Sequence, residues 1–551
     1  MERAMKRITV DWKAMFGKVF THSCVAMLAV AAASTSYTAA AQQAAANAKI
    51  PMPPMGWSSW NAFSNTISSA VAQAQAQAMV SSGLKNAGYE YVNIDEGWWL
   101  GDRDAQGNIV VDGKAWPAIE QGEQPGDMSN IVRFIHKLGL KAGIYTDAGK
   151  DGCSMYPDLG PAYSHVGSEG HYQQDFLQFA RWGFDYVKVD WCGGDKENLD
   201  PDVQYSEIAR AIEHAALVTG HRLYYSICNW GKESPWTWGP GVGGATQSIW
   251  RTSGDIVAPV VAGSVNAGRK VSFEKMLANF DQGIHPEAEH TGFYNDPDMM
   301  VLAMPGMNAA QDRLHMALWA ISGAPLLIGA DLTRLDADAL AAFTNADAIR
   351  IDQDALGLQA IKARELAPGL EVWSKFLATP GERAVLLLNR TYFPAPMSLQ
   401  WSDLGLAGDA ASVREVWTAK DLGSVQGAYK TVVPAQDGIL LIVKGSEGNF
   451  KQYVPAGQHS GDRATRFTGV SATERGWAQA RVHYRNSSAD AHLVDLTVNE
   501  QGTTRVAFPP TGADEGSVWI EVNLDRQGDG NILDFSNYSE PGLAITGLDV
   551  H

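Results

Sequence analysis

Side chains suited to acid–base and nucleophilic chemistry follow five successive apolar runs of this 551-residue sequence. One aspartate after a strand is common, because aspartate also forms turns and helix caps. Five successive strand ends with such groups indicate instead a site at one edge of a sheet. The five groups are Asp95 with Glu96, Tyr145 with Asp147, Lys188 with Asp190, Cys228 with Trp230, and Arg251 with Asp255.

Two of these carboxyl groups fit hydrolysis of a glycosidic bond with retention of configuration. That reaction needs a carboxylate that attacks the anomeric carbon and a second carboxyl that first donates and then accepts a proton. In YVKVDWC, Asp190 ends an apolar run and Lys188 lies two residues earlier on the same face. The nearby cation favours the ionised, nucleophilic form of Asp190. Asp255, in WRTSGDI, must keep its proton near neutral pH, through burial or the field of the first carboxylate.

The alternation of apolar runs with helix-length segments from Pro54 to about Asn345 predicts parallel βα units. About 300 residues of such units fit one (β/α)₈ barrel, an α/β fold whose functional side chains lie at the C-terminal ends of the strands. A doubly wound open sheet is the alternative. The expected strands are 55–57, 89–95, 140–147, 184–190, 222–229, 248–251 and 326–329. The most evident helices are expected at 72–86, 130–138, 171–182 and 205–218.

The sequence predicts two further domains after a barrel at 50–345. Period-two alternation, as in 370–376 and 438–443, predicts an antiparallel β domain at 346–445. Short strands with closely spaced turns at 450–551 predict a C-terminal β-sandwich.

The first 41 residues have the pattern of a secretory signal peptide: five basic residues, an apolar run from Cys24 to Ala33, and small residues at 39–41. An Ala-rich linker is expected at 42–49. The apolar run is too short to span a bilayer, and no later stretch qualifies. We therefore expect an exported protein, periplasmic or secreted, with no membrane contact after signal cleavage.

Charge, cysteine content and short motifs bear in turn on the partners, the disulfide bonds and the cofactors of the protein. The formal net charge of −18 argues against nucleic acid as a partner. Three cysteines remain after signal cleavage (Cys153, Cys192 and Cys228), so one disulfide and one free thiol are expected in an oxidising compartment. The sequence has no CxxC or HExxH motif, and GPGVGG does not follow a strand, so neither a metal nor a dinucleotide cofactor is expected.

Seven sequence blocks follow one another along the chain: PPMGWSSWNAF, YVNIDEGWW, GIYTDAG, GSEGHYQQDFLQFARWGFDYVKVDWC, SICNWG, WRTSGDI and YNDPDMM. In this order they resemble the signatures of glycoside hydrolase family 27, which includes α-galactosidases, α-N-acetylgalactosaminidases and β-L-arabinopyranosidases. The resemblance extends from about Pro53 to Val443.

The resemblance implies an exo-acting retaining hydrolase of terminal α-D-galactopyranosyl groups, with Asp190 as nucleophile and Asp255 as acid/base. Cys-Asn-Trp-Gly stands where small residues would accommodate an N-acetyl group, so a free 2-hydroxyl is favoured. The implied sugar contacts are Trp60 beneath the ring, Asp95 and Glu96 at the 4- and 6-hydroxyls, Lys188 near O3 and O4, Tyr145 beside the nucleophile, Arg251 at O2, Cys228 and Trp230 at the 2-substituent, and Asp298 with Met299 as the pocket wall.

Two departures from the family pattern bear on the substrate. Glu96 stands where the family usually has a second Asp, and Tyr294 stands where it usually has Trp. The first leaves galactose-containing and L-arabinopyranose-containing glycans both open as substrates. The resemblance also implies a Cys153–Cys192 disulfide, and since the usual partner of Cys228 is absent, a buried thiol at Cys228.

The C-terminal segment is loosely similar to carbohydrate-binding β-sandwich modules, on VHYRNSSADAHLVDLTVN, VAFPPTG and LAITGLDVH. A purely structural sandwich is the alternative, and a calcium site stays open if the module binds sugar. For the whole chain, a transglycosidase and a non-catalytic sugar-binding protein are the competing functions.

Overall fold

A computed structural model describes residues 52–153, 165–257, 271–290, 292–456, 464–471, 476–526, 528–537 and 542–551. The signal peptide and linker expected at 1–49 lie outside these residues. Within the described ranges, no helix has the length and apolarity needed to cross a membrane.

The first domain is a parallel eight-stranded barrel, which confirms the predicted fold and excludes the open sheet. Its strands follow the order β10-β1-β2-β5-β6-β7-β8-β9, and a parallel bridge between Met300 and Ile328 joins the two edges. The short strands β3 and β4 form a separate hairpin. The strands of this domain are β1 (Met55–Ser58), β2 (Tyr91–Asn93), β3 (Trp99–Arg103), β4 (Ile109–Val111), β5 (Lys141–Asp147), β6 (Tyr186–Asp190), β7 (Tyr224–Cys228), β8 (Ser248–Arg251), β9 (Phe293–Asp296) and β10 (Leu326–Ile328).

Helices surround the barrel. Three of the four helices predicted from sequence are present with shifted ends, and the one predicted at 72–86 is divided into two, Ser69–Ser81 and Leu84–Ala87. Strand β9 was not predicted, because two of its four residues are polar and Pro297 follows it, so it gives no apolar run. The helices are α1 (Trp60–Phe63), α2 (Ser69–Ser81), α3 (Leu84–Ala87), α4 (Ser129–Lys137), α5 (Tyr172–Trp182), α6 (Cys192–Glu197), α7 (Pro201–Thr219), α8 (Pro235–Trp238), α9 (Phe273–Gln282), α10 (Ala309–Ser322), α11 (Ala337–Phe343) and α12 (Ala346–Asp352).

The barrel interior changes from apolar to polar along its strands. Alternation places Tyr186, Lys188 and Asp190 of β6 on one face, in that order toward the C-terminal end. Tyr186 belongs to a buried cluster with four residues of neighbouring strands, Tyr91, Tyr224, Ile249 and Tyr294. This layer closes the barrel below the polar groups. Tyr294, which stands where the family usually has Trp, is therefore a residue of the barrel interior.

The second domain is antiparallel, as predicted. Its main sheet has the order β11-β12-β13-β18-β15-β16, and β14 pairs with β17. One face of this sheet shares a core with the barrel through Trp373 and Leu386, while Leu387 and Val443 belong to a separate core on the other face. The strands are β11 (Ile361–Ala367), β12 (Leu370–Phe376), β13 (Glu382–Asn389), β14 (Ala395–Gln400), β15 (Leu406–Glu415), β16 (Lys420–Gln426), β17 (Ala428–Val433) and β18 (Asp437–Glu447).

The C-terminal domain is a sandwich of two four-stranded sheets around its own apolar core. The sheet orders are β19-β26-β21-β24 and β20-β25-β22-β23. The strands are β19 (Lys451–Tyr453), β20 (Thr465–Val470), β21 (Gly476–Asn486), β22 (His492–Val498), β23 (Gln501–Phe508), β24 (Gly516–Leu524), β25 (Asn531–Ser536) and β26 (Leu543–Val550).

Candidate active site

Strand register brings the polar strand ends together at the C-terminal rim. Asp190 of β6 lies opposite Asp147 of β5 and Cys228 of β7, and Lys188 lies opposite Tyr145. Because β6 pairs with β5 on one side and with β7 on the other, its last residue has neighbours on both sides. Asp190 therefore ends its strand in the middle of the group of side chains that the sequence indicated.

Asp190 is buried and held by hydrogen bonds to both carboxylate oxygens. The Tyr145 hydroxyl donates to Oδ2 at 3.0 Å, and the Trp191 backbone N–H donates to Oδ1 at 3.0 Å. Burial raises the pKa of Asp190 to about 6, although the Lys188 ammonium acts to lower it and the charge of Asp255 raises it further. The cation thus acts in the direction expected from sequence, but desolvation has the larger effect.

The raised pKa predicts an acid limb in the pH profile. A nucleophilic carboxylate must be ionised, so kcat/KM should fall about tenfold for each pH unit below about 6. The pH dependence of kcat/KM with a nitrophenyl glycoside measures this limb. A profile that stays flat down to pH 4.5 would contradict a pKa of about 6 for the attacking group.

Lys188 connects the surroundings of Asp190 to the neighbouring strands. Its Nζ donates to Asp95 Oδ2 at 2.9 Å and lies 5.2 Å from the centre of the Tyr145 ring. Asp95 is fixed in turn, because its backbone N–H donates to Ser59 Oγ at 2.9 Å. Two buried carboxylates thus share one cation at the base of the site, and their side chains are held in position before any ligand binds.

Arg251 organises the opposite side of the site. Its Nη2 lies 3.1 Å from Asp255 Oδ1 and 3.2 Å from Asp298 Oδ2. Arg251 and Asp298 are buried, whereas the Asp255 side chain is 44% exposed. The burial that the sequence analysis considered for Asp255 is therefore not found.

The backbone at Asp298 is strained. Its φ of +93° lies in the region that favours glycine, and such conformations persist where the surroundings enforce them. The Asp298 carboxylate accepts the backbone N–H of Ile256 at 2.8 Å and that of Met299 at 2.7 Å. Asp298 thus joins the end of β9 to the loop of Asp255, and it places the buried Met299 beside it.

Glu96 lies within the site rather than at its entrance. The residue is 1% exposed, and its backbone N–H donates to Asp95 Oδ1 at 2.9 Å. A Cβ atom on Gly152 would lie 2.7 Å from Glu96 Oε1, so this oxygen is directed toward the segment next to Cys153. The charge of Glu96 also raises the pKa of Tyr145. The Glu96 carboxylate is therefore directed toward the segment that follows β5.

The remaining predicted contacts lie at or just after the C-terminal ends of β1 and β7. Trp60 is half-buried at the start of α1, directly after β1. Trp230 is half-buried with a φ of +57°, and Cys228 is a buried free thiol whose Sγ lies 3.7 Å from Arg251 Nη1. Gly231 permits a close approach of this loop to the Asp255 loop, since a Cβ there would lie 2.3 Å from the Thr252 carbonyl oxygen.

The disulfide implied by the family resemblance is present. Cys153 and Cys192 are bonded with Cα atoms 5.0 Å apart, and Cys153 Sγ lies 3.5 Å from Asp190 Oδ2. Among the described residues, a cluster with metal-ligand geometry comprises these two cysteines and Asp147. Both sulfurs are used by the disulfide, so the cluster cannot supply two thiolates to a metal.

Removal of this disulfide should destabilise the fold. The two cysteines are 39 residues apart, and closing such a loop stabilises by about 3 to 4 kcal/mol in the chain-entropy model. We expect the Cys153→Ser/Cys192→Ser variant to lose about that much free energy of unfolding in urea titrations. Cys228→Ser is the matched control, because Cys228 is a free buried thiol. An unchanged urea midpoint in the double variant would show that the bond contributes nothing.

Asp147 is a site residue that had no role assigned from sequence, although it stood among the strand-end groups. Its Oδ1 accepts the backbone N–H groups of Gly149 at 2.7 Å and Gly193 at 3.0 Å. It thereby joins the loop after β5 to the first turn of α6, next to the disulfide. The glycines of GIYTDAG and WCGG were the available signal, because a Cβ on Gly149 would lie 2.2 Å from the Gly193 carbonyl carbon.

A barrel whose C-terminal rim brings together a buried carboxylate, a lysine, an arginine and an exposed carboxyl defines the chain as a (β/α)₈ glycoside hydrolase. Residues 52–354 match the family model described as alpha galactosidase A. Residues 367–443 match the alpha galactosidase C-terminal beta sandwich domain, and residues 464–546 match a CBM13 domain of alpha-galactosidases. The chain belongs to the alpha galactosidase A family, glycoside hydrolase family 27, and is an enzyme of the α-galactosidase type.

Individual relatives agree with this assignment. The chain is 36% identical over 394 residues to a probable alpha-galactosidase of Dictyostelium discoideum, covering 71% of this chain and 91% of that protein. The crystal structure of alpha-galactosidase I from Mortierella vinacea matches with a TM-score of 0.61 and 27% identity, over 73% of this chain and 99% of that one. A β-L-arabinopyranosidase of Geobacillus stearothermophilus in complex with arabinose shares the fold, with a TM-score of 0.59 and 21% identity over 72% and 97% of the two chains.

Proposed function

We propose that this enzyme removes terminal α-D-galactopyranosyl groups from oligo- or polysaccharides with retention of configuration, after export from the cytoplasm. The observation that supports this best is the pairing of a buried, hydrogen-bonded carboxylate at Asp190 with an exposed carboxyl at Asp255, close enough for the charge of Asp255 to raise the pKa of Asp190. In this proposal the two carboxyl groups lie about 5 to 6 Å apart across the sugar.

The proposed mechanism is a double displacement. A carboxylate oxygen of Asp190 attacks the anomeric carbon, the bond to the glycosidic oxygen breaks, and Asp255 gives its proton to that oxygen. Asp255 then takes a proton from water, whose oxygen attacks the anomeric carbon and displaces the Asp190 carboxylate. The Tyr145 hydroxyl and the Trp191 N–H already donate hydrogen bonds to the Asp190 carboxylate. Neither donor therefore has to move when the carboxylate loses its charge on forming the covalent intermediate.

The remaining residues are proposed to hold the sugar. Lys188 and Asp95 form one hydrogen-bonded pair, and Arg251 and Asp298 form a second on the other side of Asp190. Each pair offers donors and acceptors in a fixed geometry, as a ring with several hydroxyl groups requires. Trp60 and Trp230 would add apolar faces at the rim, and Cys228 would face the 2-hydroxyl.

Stereochemistry tests the mechanism directly. Proton NMR of a fresh hydrolysis of nitrophenyl α-D-galactopyranoside should show α-galactose as the first product, with the β-anomer appearing only by mutarotation. Initial release of β-galactose would mean inversion and would exclude Asp190 as a covalent nucleophile. The same samples at high sugar concentration would reveal a transglycosidase through new disaccharides, and the absence of any turnover would indicate a sugar-binding protein.

A second candidate activity is hydrolysis of β-L-arabinopyranosides, and Glu96 is the observation that favours it. These two sugars present the same ring hydroxyls, and the pentose lacks only the C6 hydroxymethyl group. Replacing Asp by Glu advances a carboxylate by about 1.5 Å, one carbon–carbon bond. At the position assigned to the 6-hydroxyl, that advance would occupy space which a pentose leaves empty.

Glu96→Asp should therefore change the choice of sugar. We expect measurable wild-type activity on nitrophenyl α-D-galactopyranoside and β-L-arabinopyranoside, and a rise of at least about tenfold in their kcat/KM ratio in the variant, since one methylene discriminates by about 10- to 200-fold. Glu371→Asp, at a buried glutamate of the second domain, is the matched control and should leave the ratio unchanged. A ratio in Glu96→Asp that is unchanged or lower would remove Glu96 as the determinant.

A further inference from the structure

A cavity of about 510 Å³ lies between the barrel and the C-terminal sandwich. The barrel supplies Trp236 and Glu287 to its wall, and the sandwich supplies Trp477, Glu521 and Asn523. The volume lies within the range of pockets that hold small ligands, about 300 to 1,000 Å³. The cavity therefore exists only because two domains meet, and each contributes an indole to it.

The pairing of two sandwich strands explains why polar and aromatic groups line this wall. Trp477 of β21 lies opposite Asn523 of β24, and Gln479 lies opposite Glu521. Side chains two residues apart share a face, so all four point out of the sandwich core toward the other domains. The next pair on this face includes Trp519, which packs against Phe376 of the second domain at 5.8 Å. That contact closes the same face beyond the cavity.

The barrel residues Trp236 and Glu287 that line the cavity are not among those of the candidate active site. Trp236 stacks on His285 with ring centres 3.6 Å apart, so one indole face is covered and the remaining surface borders the cavity. Thr504 Oγ1 donates to the Glu287 carbonyl oxygen at 3.1 Å and fixes the sandwich there. His285 and Glu287 belong to the connection that leads into β9, and such connections lie at the N-terminal end of a barrel.

Glu521 is a buried acid with an oxygen that lacks a partner. It is 1% exposed, its Oε1 accepts from Gln479 Nε2 at 3.2 Å, and its Oε2 has no hydrogen-bond partner among the residues that the structure describes. Buried polar atoms are nearly always satisfied, and leaving one unsatisfied is costly. Because Glu521 lines the cavity, a ligand in the cavity could supply the missing hydrogen bond.

We propose that this junction cavity binds a pyranose unit of a glycan chain at a site separate from the active site. Indole surfaces pack against the C–H faces of a sugar ring, and the carboxyl and amide groups of Glu521 and Asn523 bind its hydroxyls. An uncharged sugar fits better than an anionic ligand, since acidic and amide groups surround the indoles. The choice of a galactose-substituted polysaccharide as ligand rests on the proposed function, whereas the existence of the site does not.

Affinity electrophoresis in gels containing galactomannan tests the proposal on the full chain. Asp190→Asn serves as the background, because it prevents hydrolysis during the run. We expect the background protein to be retarded, and Trp477→Ala or Glu521→Leu to weaken binding at least about tenfold. Phe393→Ala is the matched control at an exposed aromatic residue outside the cavity, and it should retain full retardation.

Two further measurements separate binding from folding and from catalysis. Glu521→Leu removes the unsatisfied oxygen and keeps the side-chain volume, so its Tm should equal or exceed that of the parent while binding falls. With Asp190 intact, Trp477→Ala should hydrolyse nitrophenyl α-D-galactopyranoside at the unaltered rate. The proposed site would be overturned if the Asp190→Asn background protein is not retarded, or if Trp477→Ala and Glu521→Leu are retarded as strongly as that protein, even if hydrolysis is confirmed. Failed hydrolysis with retained binding would overturn only the proposed function.

Discussion

Replacement of Asp190 by asparagine is expected to lower kcat on the order of 10⁴-fold or more, because an amide cannot form the covalent glycosyl-enzyme and the barrel offers no carboxylate in the same position. Binding of galactose should persist, since Lys188, Asp95, Arg251 and Asp298 remain paired with one another. Stopped assays for turnover and calorimetric titration with galactose measure the two effects. Wild-type turnover in this variant would remove Asp190 from the mechanism.

The same substitution should stabilise the fold, and the direction follows from linkage. The pKa of Asp190 rises from its ordinary value of 3.8 to about 6 in the folded protein, so ionisation of Asp190 opposes folding. The cost is absent below pH 3.8, grows between pH 3.8 and 6, and is complete above pH 6. It amounts to about 3 kcal/mol, since a tenfold change in proton affinity corresponds to about 1.4 kcal/mol.

Asp190→Asn should therefore raise the free energy of unfolding at pH 7 and change it little near pH 4. Asp352→Asn is the matched control, because Asp352 is 1% exposed, lies on α12 away from the rim, and has its pKa raised to about 8 by burial. It should stabilise at pH 7 without loss of turnover. Destabilisation of Asp190→Asn at pH 7 would show that the carboxylate is better solvated than its burial indicates.

Replacement of Asp255 by asparagine is expected to have the second largest effect, and its size should depend on the leaving group. Loss of a general acid typically costs about 10²- to 10⁴-fold. An alkoxide leaving group needs the proton, whereas nitrophenolate departs without it. We therefore expect kcat/KM for an alkyl or sugar α-galactoside to fall by about that factor, and kcat/KM for the nitrophenyl galactoside to fall much less.

Asp421→Asn provides the control for Asp255, since Asp421 is also an exposed aspartate paired with an arginine, Arg414, at 3.1 Å. It should change neither rate constant. An equal loss on both substrates in Asp255→Asn would indicate that the residue only orients Arg251, to which it is bonded at 3.1 Å. The ratio of the two losses thus distinguishes proton donation from a positioning role.

The sequence by itself determined the barrel, because the alternation of apolar runs with helix-length segments can be recognised locally, without knowledge of the tertiary structure. It also determined that Asp190 and Lys188 lie on one face of β6, since side chains two residues apart on a strand share a face. The choice of Asp190 with Asp255 followed from the chemistry of the pair together with the family resemblance. Strand β9 escaped prediction because Phe293–Asp296 contains no apolar run, and its place between β8 and the bridge at Met300 depends on barrel closure.

Only the tertiary structure decided the balance of forces at the site. Sequence placed a lysine beside Asp190, but the pKa depends on how much water the barrel excludes, and desolvation outweighs the cation. Likewise, no local pattern shows that Glu96 is directed toward Gly152, or that Trp236 and Trp477 border one cavity although 241 residues separate them. Burial and contacts between distant segments are properties of the folded chain, and the ionisation of Asp190 and the second site proposed here both depend on them.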